Sequence, residues 1–306
     1  MRGCSFPGPA ARPRMALAVG AGALVAIAAS GCGAGSAPGG DDWGREVRST
    51  RLAAPGPAGR TLLARLEADE TGLEFRNELP REKALKYLFV GAGVAAGDYD
   101  NDGAPDLYLV SEDGENKLYR NRGGWRFEDV TEAAGVRVDR QEHTGRWDRR
   151  YPVGATFLDA NGDGFLDLFV TVFAGANVLF ANNGDGTFTD VTAEAGLGYV
   201  GASTTATTAD IDRDGDVDLF VATYRPYAAS TKLGGGTDEG LMYDVEETIG
   251  GLRFRPERDL LYVNDGAGHF TEVGGEAGLV GADWGLAAMF ADATGDGWPD
   301  LYVSND

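Results

Sequence analysis

The sequence predicts an all-β fold in which four-stranded units stack as the blades of a β-propeller. Three observations carry that expectation. An acidic loop running into an apolar strand recurs four times: DYDNDGAPDLYLV from Asp98, DANGDGFLDLFV from Asp159, DIDRDGDVDLFV from Asp210 and DATGDGWPDLYV from Asp292. A second element aligns without a gap over 19 residues in LYRNRGGWRFEDVTEAAGV (Leu118–Val136), LFANNGDGTFTDVTAEAGL (Leu179–Leu197) and LYVNDGAGHFTEVGGEAGL (Leu261–Leu279). Composition agrees: 47 Gly in 306 residues favours tight turns over long helices, and 43% hydrophobic residues can supply a core.

The chain opens with a segment outside the fold. Arg2, Arg12 and Arg14 precede Met15–Ala29 (MALAVGAGALVAIAA), an apolar run of 15 residues. A membrane-spanning helix needs about 20 such residues, so residues 1–31 are expected to be a signal peptide. The run ends in Ala29-Ser30-Gly31-Cys32, which resembles a bacterial lipobox apart from Ala29 in the place usually held by Leu. That resemblance implies lipidation at Cys32, export, and anchoring in the cell envelope, on the outer membrane if the host is Gram-negative. Cys4 would leave with the signal, so no disulfide is expected in the mature chain. Residues 32–60, rich in Gly, Pro and Ala, read as a flexible tether, and 61–306 as the blades.

Each unit then reads in order as strand, acidic loop, strand, Asn/Gly hairpin, strand, and a short helical turn closing at Gly. From the first loop Asp to the hairpin Leu the spacing is 20 residues in the first two units and 51 in the third, which places a 31-residue insertion between about Arg225 and Asp259. From the closing Gly to the next loop the spacing is 14 at two junctions and 24 between Gly135 and Asp159, which places ten extra residues around Arg137–Trp147. Leu66–Leu73 (LEADETGL) resembles the closing turn of a unit with no visible start, and Asp306 follows the second strand of the fourth unit. Both ends look open. The expectation is part of a larger ring, for example one of seven blades.

The loops themselves point to a hard cation. Calcium takes six to eight oxygens, and a short Asp-rich loop can wrap it if a Gly permits the turn. Positions one, three, five and nine would give side chains and position seven its carbonyl. These are Asp98, Asp100, Asp102 and Asp106 with Ala104; Asp159, Asn161, Asp163 and Asp167 with Phe165; Asp210, Asp212, Asp214 and Asp218 with Asp216; and Asp292, Thr294, Asp296 and Asp300 with Trp298. Gly103, Gly164, Gly215 and Gly297 hold position six in every copy. An EF-hand would need a bidentate Glu at position twelve; Leu109, Val170, Val221 and Val303 stand there. Zinc is disfavoured because Cys and His are absent from the loops. About four Ca²⁺ sites are expected, the one with Thr294 being the poorest.

With those residues in view, the units resemble FG-GAP or VCBS repeats, the calcium-loop blades also found in integrin α chains. The combination of DYDNDG…DLYLV, NNGDGTFTDVTAEAGL and a lipobox is similar to bacterial members of the ASPIC/UnbV and cartilage-acidic-protein group. The resemblance covers roughly Leu66–Asp306 and implies blade loops stiffened by metal.

Other chemistry is weaker. A formal net charge of −21 argues against nucleic acid as a partner. Gly91-Ala-Gly93-Val-Ala-Ala96 matches a dinucleotide fingerprint but leads into the Asp98 loop with no helix. His269 falls in a hairpin, and His143 lies in the ten-residue insertion beside Glu142, Arg146 and Trp147, a ligand-contacting cluster or a solvated loop. No Ser-His-Asp or Cys-His pairing is suggested, so no catalytic residues are assigned. The leading expectation is a lipid-anchored scaffold that binds a protein or carbohydrate ligand through its insertions. The alternative is a polysaccharide-active lyase or hydrolase built on the same blades.

Overall fold

The computed structural model describes residues 66–77, 92–111, 114–138, 151–224, 258–279 and 285–305. All lie within one compact unit, Leu63–Asp306. The segments expected to be signal, lipobox with Cys32 and tether, most of both expected insertions and His143 lie outside the described residues.

The fold is all-β, and its strands arise where the repeat predicts them. The first unit is an antiparallel sheet of β1 (Val94–Gly97), β2 (Asp106–Leu109), β3 (Lys117–Asn121) and β4 (Phe127–Asp129), paired in sequence order. The second contains β5 (Tyr151–Leu158), β6 (Asp167–Ala176), β7 (Val178–Asn182) and β8 (Phe188–Asp190). The third contains β9 (Val200–Ala209), β10 (Asp218–Thr223), β11 (Leu260–Asn264) and β12 (Phe270–Glu272), and β13 (Gly285–Ala291) pairs β14 (Asp300–Asn305) in the fourth. The first strands of successive units neighbour one another, β1 beside β5, β5 beside β9 and β9 beside β13. The sheets therefore stack face to face, as blades do.

One connection departs from separate four-stranded sheets. Both β6 and β9 are 10 residues long, and their overhanging ends pair at Phe173↔Ala202, Gly175↔Gly201 and Ala176↔Val200. The second and third units thereby share one continuous sheet.

Period-two alternation explains why the strands after each loop are apolar on both faces. On β6, Leu168, Val170 and Val172 pack with Tyr108, Val110 and Leu118 of the first unit, whereas Phe169 packs with Leu219 and Val221 of the third. On β10 the same rule holds. Leu219 and Val221 face the second unit, while Phe220 and Ala222 face Phe290 and Leu301 of the fourth. A central blade has no solvent face, so DLFV runs need no polar residues.

The short closing helices are α1 (Ala68–Thr71), α2 (Thr131–Ala134) and α3 (Thr192–Ala195), ended by left-handed Gly72, Gly135 and Gly196. Each of these glycines faces the Phe carbonyl that starts the fourth strand of a unit: Phe127, Phe188 and Phe270 in turn. LEADETGL thus sits on the first unit as the other closing turns sit on the units that follow them. At Gly72 a Cβ would lie 2.5 Å from the Phe127 oxygen, so both the conformation and the space require glycine.

Candidate metal loops

Position nine is the buried keystone of each of the first three loops. The Asp106 carboxylate accepts the amides of Asn121 (2.7 Å) and Tyr99 (3.1 Å), tying the third strand to the start of the loop. Asp167 accepts Asn182 N (2.7 Å) and Ala160 N (2.9 Å), and Asp218 accepts Asn264 N (2.9 Å) and Ile211 N (2.8 Å). All three are at most 1% exposed. Asp300, which is half-buried, holds its own loop through the amides of Ala293 and Thr294, with no third-strand amide among the described residues.

Position one organises the turn. Asp98 accepts the amides of Asp102 and Gly103, Asp159 those of Gly162, Asp163 and Gly164, Asp210 that of Gly215, and Asp292 those of Gly295, Asp296 and Gly297. Position five accepts the amide of position seven in every copy: Asp102 from Ala104, Asp163 from Phe165, Asp214 from Asp216 and Asp296 from Trp298. Backbone angles explain the glycines. Gly103, Gly164, Gly215 and Gly297 have φ between +83° and +103°, a region costly for a residue with Cβ. Position four is also left-handed, at Asn101, Gly162, Arg213 and Gly295. That requirement is visible in the sequence only as Asn and Gly, and Arg213 hides it.

The structure brings acids together in two loops. Asp98, Asp100 and Asp106 place ligand oxygens within 4.8 Å of one another, as do Asp210, Asp212 and Asp218. Among the described residues no other acidic trio does so. The second and fourth loops have Asn161 and Thr294 at position three, and Asn161 Nδ2 donates to Asp163 (3.0 Å).

Burial and neighbouring charge disfavour the ionised form of four loop acids. Burial pushes the Asp106 carboxyl up to about 6, with Asp100 and Asp102 adding to the shift and the amides of Asn121 and Tyr99 opposing it. Burial likewise pushes Asp167 up to about 6, and raises Asp218 and Asp216, the last two helped by Asp212 and Asp214. Oxygen-only donors fit a hard cation. So do the Oδ1 atoms of Asp100 and Asp210, which are buried without a hydrogen-bond partner.

Sequence reasoning missed the Asn that follows each loop by a strand. Asn182 Nδ2 donates to Tyr99 O in the first unit (2.8 Å) and to Leu166 O in its own (3.0 Å). Asn264 repeats the bridge from the third unit, to Ala160 O (2.8 Å) and Val217 O (3.2 Å). Their fixed place in LYRN, LFAN and LYVN was the available signal. Neighbouring loops also touch directly: Asn101 Nδ2 donates to Gly164 O (3.0 Å), and the Arg213 guanidinium lies 4.0 Å from the centre of the Trp298 ring. His269 sits exposed in its hairpin beside Asp265 (3.1 Å).

A stack of antiparallel units, each with an acidic Asp/Gly loop between its first two strands, defines a repeat protein of the propeller class. The FG-GAP-like repeat profile matches residues 98–170, 159–221 and 252–303, and the chain belongs to that family. It is 29% identical over 166 residues to cartilage acidic protein 1 of Xenopus tropicalis, covering 51% of this chain and 24% of that protein. To cartilage acidic protein 1 of Homo sapiens it is 31% identical over 152 residues, covering 49% and 22%. The matched region thus spans about a quarter of these relatives. A solved Agrocybe aegerita lectin, described as recognising non-reducing terminal N-acetylglucosamine, is similar at 21% identity and a TM-score of 0.34, over 69% of this chain and 46% of that one.

Proposed function

We propose that this FG-GAP repeat protein is a calcium-stabilised, lipid-anchored propeller outside the cytoplasm that serves as a binding or adhesion scaffold for a protein or glycan. The observation that carries the calcium reading is the third loop. Three carboxylates converge there, and one of their oxygens is buried with no donor. A divalent ion would relieve that repulsion and hold the Asp210 loop against β11 through Asp218. The scaffold reading rests on the use made of the loop acids. Positions one, five and nine hold backbone amides and so support architecture rather than proton transfer. The ligand surface is assigned to the insertions near Arg137–Trp147 and Arg225–Asp259, as the spacing of the repeats suggests.

The test is a screen of the full-length gene product against glycan and protein-ligand arrays, with calcium and with chelator. Calcium-dependent retention of one ligand class supports the scaffold, and turnover of a polysaccharide would replace it with the enzyme reading. Anchoring is tested separately. Cys32→Ser should leave an exported protein that no longer partitions into detergent with membrane lipoproteins, and unchanged partitioning would exclude lipidation at Cys32.

A further inference from the structure

The first loop differs from the others in one respect that the repeat does not predict. Arg120, on β3, turns its guanidinium back over the acids: Nε lies 2.5 Å from Asp100 Oδ2 as an ion pair without hydrogen-bond geometry, and Nη2 donates to Asp102 Oδ2 at 3.2 Å. The Asp100 side chain is only 10% exposed, so this pair is screened less than a surface ion pair. In the same register, β7 carries Ala181 and β11 carries Val263, each just before the Asn whose amide binds position nine. Among the described residues no ion pair reaches Asp210, Asp212 or Asp218; the nearby Arg213 stacks on Trp298.

We infer that Arg120 is the resident cation of the first loop, holding Asp100 and Asp102 where the third loop would hold a metal. The inference rests on the calcium reading for the order of metal affinities it implies, though not for the neutralising role itself. An incoming divalent ion at Asp98, Asp100 and Asp106 must displace or sit beside a guanidinium, and like charges at such range oppose binding. The first loop is therefore closed without metal, and the third is the calcium-responsive one. Arg120 decides which blade answers to calcium.

The experiment uses the full chain and two readouts. In chelator, Arg120→Leu should lower the melting temperature, because the three carboxylates lose their counter-charge. Asp100→Asn should then act with opposite signs: destabilising in the wild-type background, where it strands Arg120, and stabilising in Arg120→Leu, where it relieves repulsion. A purely packing role for Arg120 would not reverse the sign, so the same sign in both backgrounds overturns the inference. In calcium titration calorimetry, Arg120→Leu should gain a site or bind at least tenfold more tightly than wild type. Equal or weaker binding by the variant, where wild type does bind calcium, also overturns it. If neither protein takes up calcium, the calcium reading fails, and the sign reversal in chelator alone decides the role of Arg120.

Discussion

Asn182 makes three side-chain hydrogen bonds while only 4% exposed: its Nδ2 holds carbonyls of two successive units, and its Oδ1 accepts Gly184 N at 2.9 Å. Truncating it strands those groups in a buried interface. Asn182→Ala should cost about 2–3 kcal/mol in urea denaturation. Asn182→Asp should cost at least as much, since it sets a carboxylate against two carbonyl oxygens. A cost below about 0.5 kcal/mol for either would show that water replaces the bridge. From the sequence, this Asn read only as a turn former, because a partner in another unit leaves no local trace. The aspartates were legible because their phase repeats within each loop. Asp106 and Asp167 carry a pH signature as well, since burial raises both to about 6 in the fold, against about 3.9 in an unfolded chain. Each then keeps its proton on folding where the unfolded chain loses it. Their contribution to stability is fully present below about pH 4 and is lost as pH rises through about 6. In chelator, urea midpoints should show that decline between pH 4.5 and 7, and Asp106→Asn should flatten part of it. A midpoint that rises across this window would contradict the assignment.

The acidic loop is the element that joins local chemistry to the stack. Its length, its recurring Gly and its strand-to-strand setting were all readable in the sequence, and the apolar residue at position twelve excludes an EF-hand. The second left-handed position was not readable, because Arg213, which stacks on Trp298, holds it at φ +65° where the other loops have Asn or Gly. Gly215→Ala isolates the conformational requirement. Nothing lies within 4 Å of where its Cβ would go, so the expected loss of about 1–2 kcal/mol comes from φ alone. A neutral result would mean that the loop relaxes to another turn. Of the differences between loops, Asn161 and Thr294 were legible at position three, whereas the pairing of Arg120 was not. Asn161, Thr294 and Arg120 each change what a loop can hold, and only the last lies outside the loop itself.

At the scale of the molecule, each central sheet is buried on both faces, so one side chain can serve two interfaces only through its neighbours along the strand. Phe169 belongs to the interface between the second and third units. Phe169→Ala should cost about 3–5 kcal/mol, and loss in a single cooperative transition would show that these units do not melt separately. The stacking of units was legible from the apolar runs. The continuous sheet through β6 and β9 was not, because it depends on the overhang of two strands and not on any pattern in either. The central claim is that calcium closes the loops able to take it, the third above all, and so stabilises the stack. It is tested most directly by calorimetric melting of the intact chain in chelator, in magnesium and in calcium. Calcium at ten times its dissociation constant should add about 1.4 kcal/mol per occupied site. The melting temperature should therefore fall on chelation and recover with calcium, with Asp212→Asn blunting the response and Thr294→Ala leaving it nearly intact. No heat of calcium binding and no change in melting temperature would contradict the account and leave the four loops as turns held by their own amides.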